Sequence, residues 1–162
     1  MTRFRLCKAL PIAAFALALG APGLAGALDY KVGSIVIEQP WTRAAPQGRT
    51  GAGYMVLRNS GSTPDRLVSA STPAARQVET HTMSMTDGIM RMRAVPTLEL
   101  PPGGEIRLAP GVLHLMLVEL TKALETGKSI PLTLVFEQAG AVTIELAVEK
   151  AGARAPGGHS GH

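Results

Sequence analysis

The chain has 162 residues, of which 16 are lysine or arginine and 12 are aspartate or glutamate. Three of the basic residues and none of the acidic ones lie in the first 27 positions, so residues 28–162 carry 13 basic and 12 acidic side chains. A near-neutral charge on that larger part gives no reason to expect binding to nucleic acid or to acidic membranes.

The first 27 residues have the composition of a secretory signal peptide. Arg3, Arg5 and Lys8 form a basic amino-terminal region, and residues 9–19 supply a short apolar run. Ala25-Gly26-Ala27 then provides an A-x-A cleavage site. The apolar run is shorter than a membrane-spanning helix requires. We therefore expect export to the periplasm with cleavage near Ala27 and no stable membrane insertion afterwards, with an uncleaved anchor as the alternative.

The cysteine content restricts the chemistry of the exported protein. The single cysteine is Cys7, inside the predicted signal peptide, and residues 3–6 before it do not resemble a lipoprotein cleavage box. The exported protein would therefore have no disulfide, no thiolate metal ligand and no cysteine nucleophile. About 135 residues remain, which is enough for one domain with a real core. No repeat or linker divides them, and we expect that domain over residues 28–150.

From Asp29 onward, short apolar runs alternate with glycine, proline, asparagine and serine, which is typical of an antiparallel β-protein. Residues 46–53 read as a loop, and their glycines lack the spacing of a phosphate-binding loop. Single helical turns are suggested at Thr72-Pro73 and within residues 120–127, and Asp87-Gly88 predicts a hairpin. In chain order the predicted strands are 32–38, 54–58, 66–70, 76–83, 89–95, 105–108, 112–120, 130–137 and 142–149.

Eight or nine short strands with turns at near-regular spacing predict an all-β fold, built as a two-sheet β-sandwich. No stretch of ten or more residues shows the periodicity of a helix. Trp41 is expected to be an aromatic residue of the core or its rim. After Lys150 the sequence becomes AGARAPGGHSGH, which cannot build a core, so residues 151–162 are predicted to be a disordered tail.

Histidine and methionine are concentrated between residues 81 and 116. This segment begins HTMSMTDGIMRMR, ends HLM, and contains five of the six methionines that follow the initiator. Thioether sulfur is a soft ligand that selects Cu(I) among biological metals, and imidazole suits copper as well. His81, Met92, His114 and Met116 would together offer two nitrogen and two sulfur ligands. The residue types therefore indicate a copper site.

Strand alternation places these side chains on shared faces. His81 shares a face with Met83 and Met85, and the turn at residues 87–88 returns Met90 and Met92 beside them. His114 and Met116 share one face of a third strand, whose other face carries three leucines. Because the leucine row has the character of a core face, we expect His114 and Met116 to point outward or toward a rim.

A packing interpretation accounts for each of these residues singly. Methionine is a flexible core filler, and a lone histidine on a strand is commonly a surface or hydrogen-bonded residue. The joint pattern argues against packing, because the only two histidines before the tail, His81 and His114, each lie within two residues of a methionine.

The spacing H-x10-M-x21-H-x-M, met at His81, Met92, His114 and Met116, resembles that of periplasmic copper chaperones of the PCu(A)C type. The resemblance covers roughly residues 35–148, nearly the whole exported chain. Its further matching segments are PW-R-A near Pro40, GAGYMVLRN, DGIMRMR, PPGG, PGVLHLML and IPLTLVFE.

The resemblance implies a cupredoxin-like Greek-key β-sandwich that binds Cu(I) and helps to metallate the Cu(A) centre of cytochrome c oxidase. The implied ligands are His81, Met92, His114 and Met116, and the implied partner is the Cu(A) subunit or its assembly factor. Met83, Met85 and Met90 do not occupy motif positions, and they would support the ligands or act as alternative donors.

The carboxy-terminal tail raises the question of a second copper species. Some family members carry a histidine- and methionine-rich extension that is associated with Cu(II). The tail of this chain offers only His159 and His162 and no methionine, so an inert tail is favoured over a Cu(II) site.

Several rival functions share some of these features. A blue-copper electron carrier requires a cysteine thiolate, and zinc sites use cysteine, histidine and carboxylate rather than methionine. Ser84 lies near His81 and Asp87, but no oxyanion-hole signature accompanies them. We therefore expect a binding protein and not an enzyme. Two alternatives remain: a periplasmic copper buffer or resistance protein without a dedicated client, and an adhesion or assembly module whose methionine-rich rim binds a protein.

Overall fold

A computed structural model describes residues 29–157 of the chain, so the predicted signal peptide, residues 1–27, lies outside the described residues. Every regular element within residues 29–157 is a β-strand, and the prediction of an all-β protein is confirmed. The strands are β1 (Tyr30–Val32), β2 (Ile35–Arg43), β3 (Gly51–Asn59), β4 (Asp65–Ser71), β5 (Ala75–Thr86), β6 (Ile89–Ala94), β7 (Leu98–Leu100), β8 (Glu105–Leu108), β9 (Leu113–Leu120), β10 (Ser129–Phe136) and β11 (Gly140–Glu149).

All nine predicted strands are present, and β1 and β7 are three-residue strands that the sequence reading missed. The first predicted strand was expected to end at residue 38, but β2 continues through Pro40 to Arg43. The pairing of β2 with β3 is irregular between Glu38 and Trp41, and Gln39 has a φ of 50°. A bulge of this kind accommodates proline, because the residue has no N–H to donate to a ladder.

The two suggested helical turns are absent. At Thr72 the chain makes a turn in which the Thr72 hydroxyl accepts a hydrogen bond from the Ala74 N–H and donates one to the Pro131 carbonyl. Between residues 120 and 127 the chain forms turns around a bridge that joins Leu124 to Ala45. Polar groups of both segments form hydrogen bonds with neighbouring strands, so folding into a helix would add no hydrogen bonds.

Hydrogen bonds connect the strands in the order β6-β5-β9-β3-β2-β11-β10-β4-β7, with β1 also paired to β2 and β8 to β3. All pairs are antiparallel except β11 with β2, where Ala147 is the partner of Trp41. The sheet is therefore mixed rather than purely antiparallel. β6 lies at one end of this order, and the methionine-bearing β5 is its only neighbour.

Alternation of apolar and polar residues builds the core. Along β10 the side chains of Ile130, Leu132, Leu134 and Phe136 are buried, while the residues between them are more exposed. Trp41 is buried at the core margin, and its ring centroid lies 4.5 Å from that of Tyr54. The prediction for Trp41 is therefore confirmed.

A tight hairpin joins β5 to β6. Thr86 is paired with Ile89, so the connection consists of Asp87 and Gly88 alone. Their φ angles are 53° and 76°. Positive φ at both central residues matches a type I′ turn, whose twist suits two paired strands and fixes their register. The hairpin predicted at Asp87-Gly88 is confirmed.

Residues 151–157 follow β11 and contact the sheet. Arg43 Nε donates a 2.7 Å hydrogen bond to the Ala153 carbonyl, and the Gly157 N–H donates one of 3.0 Å to the Glu149 carboxylate. His159 and His162, the tail histidines, lie outside the described residues. Among residues 29–157, no helix has the length and apolar character needed to cross a membrane.

Candidate metal centre

Two histidines lie directly opposite each other on neighbouring antiparallel strands. In the register between β5 and β9, His81 is paired with His114. Residues paired in this way project from the same face of a sheet, with Cβ atoms about 4.5–5.5 Å apart. The sheet thus brings two imidazoles together from distant parts of the chain.

The core determines which face of β9 carries His114. Leu115 and Leu117 are completely buried, and His114 and Met116 alternate with them, so both project from the other face. Met116 is half-buried. His114 lies on the face away from the core, as expected, but it is only 6% exposed and so is not open to solvent. The pair of histidines belongs to a site that is largely shielded from water.

A carboxylate orients one of the two imidazoles. The Glu79 Oε2 atom lies 2.7 Å from Nε2 of His81. Because a carboxylate can only accept, Nε2 of a neutral His81 carries the proton and donates a hydrogen bond to Glu79. The lone pair of that tautomer is then on Nδ1. This is the arrangement in which a metal-binding histidine is commonly held by a carboxylate on its other nitrogen.

The two Nδ1 atoms are buried without hydrogen-bond partners, on His81 and on His114 alike. Buried polar atoms in proteins nearly always have a partner, so each exception calls for an explanation such as a missing ion. An ion held between the opposed rings would satisfy both nitrogens at once. The unpaired atoms therefore fit a metal site.

The protonation state of His114 also favours metal binding. Burial lowers the pKa of His114 below its ordinary value of 6.5, and the charge of nearby His81 lowers it further. The imidazole is therefore neutral at pH 7. Only a neutral ring has a free lone pair for a metal ion.

Met116 lies next to the histidine pair on β9. It is paired with Glu79 on β5 and with Ala52 on β3. The pairing with Glu79 puts Met116 on the same face as both histidines, one alternation further along the strand from His114. Met116 is therefore the next residue after His114 on the face that carries both histidines.

Met92 projects from the same face but is not paired with either histidine. Its partner across β5–β6 is Met83, whereas the residue opposite His81 is Ala94. Met92 is thus the diagonal neighbour of His81, at a distance of about 7–8 Å between backbone positions, which a long side chain can span. The strand β5 separates it from His114, so Met92 and Met116 flank the histidine pair on opposite sides.

Of the residues considered for a hydrolytic triad, Ser84 is on the wrong face. Ser84 is three positions after His81 on the same strand and is paired with Arg91. Side chains an odd number of positions apart point to opposite faces of a strand. The serine hydroxyl therefore cannot approach the imidazole, and the register removes the basis for a serine–histidine pair.

Glu79 is the residue that the sequence reading missed. A signal was available, because Glu79 lies two positions before His81 and hence on the same face of the predicted strand. A second polar contact holds it, since Gln77 Nε2 donates a 2.7 Å hydrogen bond to the other carboxylate oxygen. Three alternate residues of β5 thus form a polar row that ends at the candidate site.

The donor set has a clear preference among metals. Within residues 29–157 no cluster of three or more histidine, cysteine, aspartate or glutamate side chains could hold an ion. Two imidazoles with flanking thioethers suit a soft, monovalent d10 ion.

The amino-acid sequence of this chain matches a known protein family and a relative in another organism. The family described as LpqE-like matches residues 35–148. A relative from Leifsonia xyli subsp. xyli (strain CTCB07), named "Putative lipoprotein Lxx21020", is 28% identical over 151 residues, which cover 90% of each chain.

Solved structures of PCuAC domains are similar in sequence and in fold. The copper-bound PCuAC domain of PmoF2 is 37% identical, covers 76% of this chain and 98% of its own, and superposes with a TM-score of 0.66. The Cu(I) form of DR1885 from Deinococcus radiodurans is 29% identical, covers 77% of this chain and 83% of its own, and gives a TM-score of 0.55. The resemblance drawn from the sequence and the cupredoxin-like β fold that it implied are both confirmed.

Proposed function

Because this chain belongs to the LpqE-like family of PCuAC domains, we propose that it is a copper chaperone that binds Cu(I) as its cargo. The observation that carries the proposal is the opposed pair His81 and His114, whose Nδ1 atoms are buried without partners. Copper-bound and Cu(I) forms of its relatives PmoF2 and DR1885 support the choice of metal. The protein would act by binding and release rather than as an enzyme.

The proposed ligands are the imidazoles of His81 and His114 and the thioethers of Met92 and Met116. All four are neutral, and the sulfur atoms bias the site toward Cu(I) and away from harder ions. Glu79 would act through His81, because its hydrogen bond to Nε2 keeps Nδ1 available for the ion. The carboxylate is a positioning residue in this scheme and not a ligand.

Met92 would close the site from the far side of β5. Its side chain is 47% exposed, so it can change conformation without displacing core residues. Methionine has three rotatable bonds beyond its backbone, which gives it the reach for a diagonal neighbour. An exposed and flexible ligand suits a site that takes up and releases its ion.

The proposed client is the Cu(A) centre of cytochrome c oxidase, reached through the Cu(A) subunit or its assembly factor. Neutral nitrogen and thioether ligands hold Cu(I) less firmly than a thiolate cluster would. A thiolate-rich acceptor site could therefore draw the ion away by ligand exchange. This direction of transfer is part of the proposal.

The proposed location is the periplasm, after cleavage of residues 1–27. The LpqE-like family carries a lipoprotein description, which agrees with export. Lipid attachment requires a cysteine at the new amino terminus, but the only cysteine of this chain is Cys7. We therefore expect an exported protein whose amino terminus is unmodified Leu28, which intact-mass measurement of the periplasmic protein tests.

A deletion strain grown at limiting copper tests the delivery function. A chaperone predicts loss of Cu(A) from cytochrome c oxidase, restored by the wild-type gene but not by a His81→Ala, His114→Ala variant. The matched control is Gln138→Ala, an exposed change in the turn between β10 and β11, outside the proposed ligand set. Normal Cu(A) content together with sensitivity to added copper would contradict delivery and support a copper buffer.

A further inference from the structure

Four methionines form two directly opposed pairs on one face of the β5–β6 hairpin. Met83 is paired with Met92, and Met85 with Met90. Met83 and Met85 lie two and four positions after His81, so they share its face of β5. Met92 and Met90 are their partners on β6 and project from the same face of the sheet. From these positions we propose that Met83, Met85 and Met90 form a second Cu(I) site built from thioethers alone.

Core packing does not explain these side chains, of which Met83 is half-buried and the other three are exposed. Met85, Met90 and Met92 are 69%, 56% and 47% exposed, whereas Met55, a true core methionine, is 2% exposed. None of the four hairpin methionines belongs to the core cluster or packs against it among the described residues. Large apolar side chains are costly to leave in water, so a row of them in register points to a role in binding.

The hairpin holds the thioethers in fixed relative positions. Its two-residue turn at Asp87 and Gly88 sets the register. Opposed residues then have Cβ atoms about 4.5–5.5 Å apart, and successive residues on one face of a strand are about 7 Å apart. Flexible methionine side chains can bring three sulfur atoms to one ion from such positions.

The surrounding charges favour a soft, singly charged ion. Between residues 80 and 94 the only carboxylate is Asp87, at the turn, and the two arginines of β6, Arg91 and Arg93, alternate with the methionines and point to the other face. The carboxylate of Glu79 lies on the same face of β5, but it is beyond His81 from the hairpin methionines and is already engaged by His81 and Gln77. Thioether donors without any anionic partner are characteristic of Cu(I) binding.

The second site is continuous with the first. Along β5, Met85, Met83 and His81 are successive residues of one face, so the thioether site begins one alternation from the proposed primary site. This part of the inference rests on the proposed function: an ion captured at the exposed tip could pass inward by ligand exchange. The existence of the thioether site does not depend on it.

Anaerobic titration of the exported protein with Cu(I) against competing chelators of graded strength tests the site. We expect two equivalents, one tight and one weaker. The Met85→Leu, Met90→Leu variant should lose only the weaker one, because leucine keeps the apolar volume and removes the sulfur. Ile89→Leu, an exposed change on the same hairpin, is the matched control and should retain both equivalents.

Methyl NMR of the methionines provides a second readout that does not depend on affinity. The methyl signals of Met85 and Met90 should shift with the second equivalent of Cu(I) and not with the first. The proposal of a thioether site would be overturned if the methyl signals of Met85 and Met90 did not shift at excess Cu(I). It would also be overturned if the Met85→Leu, Met90→Leu variant still bound two equivalents of Cu(I).

A His81→Ala, His114→Ala variant separates this inference from the proposed function. If that variant loses the tight equivalent and keeps the hairpin signals responsive, both stand. If wild type binds copper only at the hairpin, the proposed function fails while the thioether site stands. If wild type binds a single equivalent that the histidine variant loses, the proposed function stands and the thioether site fails.

Discussion

Glu79 accepts a 2.7 Å hydrogen bond from Nε2 of His81, two residues further along β5. This contact leaves Nδ1 of His81 as the nitrogen with a free lone pair, and Nδ1 is also the atom that is buried without a partner. The tautomer of a neutral histidine is set by the hydrogen bond that its other nitrogen makes. Glu79, which lies outside the four-residue ligand motif, therefore sets which nitrogen of His81 is available to the proposed site.

Replacing Glu79 should weaken copper binding without removing a ligand. For Glu79→Ala we expect a Cu(I) affinity about 10–100-fold lower, as is usual when a carboxylate behind a metal-binding histidine is lost. Glu79→Gln, which keeps a hydrogen-bond acceptor, should recover part of that loss. Competition with a Cu(I) chelator measures both.

Nitrogen NMR of the apo protein distinguishes this role from simple destabilisation. In wild type the proton of neutral His81 should reside on Nε2, and Glu79→Ala should yield a mixture of tautomers. Glu99→Ala removes an exposed carboxylate on β7 and should change neither the tautomer nor the affinity. An unaltered tautomer in Glu79→Ala would contradict the positioning role.

Met92 and Met83 are opposed on the same face, and only Met92 is a proposed primary ligand. We expect Met92→Leu to weaken the tight Cu(I) equivalent by at least about tenfold, because it removes a ligand of the ion. Met83→Leu should leave that equivalent nearly unchanged. A larger effect from Met83→Leu would show that the diagonal position is the wrong choice and that Met83 closes the primary site.

The buried His114 should make the stability of the apo protein depend on pH. Its pKa lies below 6.5 in the folded state, chiefly because of burial, so the unfolded chain binds the proton more readily. The free energy of unfolding should therefore rise as the pH increases toward and through 6.5, and fall below it. Urea titrations on either side of pH 6.5 should show this slope in wild type and a flatter one in His114→Gln.

Asp65 should stabilise the fold at neutral pH. Its carboxylate accepts backbone hydrogen bonds from Gln138, Ala139 and Arg66. Burial alone would raise the pKa of Asp65, but these backbone hydrogen bonds outweigh it and hold the pKa below 3.8. We expect Asp65→Asn to lower the free energy of unfolding by about 1–3 kcal/mol at pH 7.

The effect of Asp65→Asn should itself depend on pH. The stabilisation by the carboxylate is present above its unfolded pKa and is lost as the pH falls through the lower folded value. Wild type and Asp65→Asn should therefore converge in strongly acidic solution. Ser69→Ala, at an exposed position of the same strand, is the control. A difference in the free energy of unfolding between wild type and Asp65→Asn that stayed constant with pH would contradict the role given to the Asp65 carboxylate.

The strands could be predicted from the sequence because each carries its own signal. Alternation along β10 and the turn residues Asp87-Gly88 act over a few neighbours, so they are visible without tertiary structure. The short strands β1 and β7 were missed because three residues hold too little pattern. The parallel pairing of β11 with β2 was missed because no local signal specifies which strand a distant segment will join.

The chemistry of the site could be read from the sequence: soft sulfur and imidazole, no thiol outside Cys7, and alternation that places each ligand on one face of its strand. The folded chain was needed to show that His81 and His114 stand opposite each other, that His114 is buried, and that Met92 is a diagonal neighbour. The difference lies in how far along the chain each property reaches. Ligand chemistry and strand alternation are properties of nearby residues, whereas register and burial arise only when distant strands pair around one core.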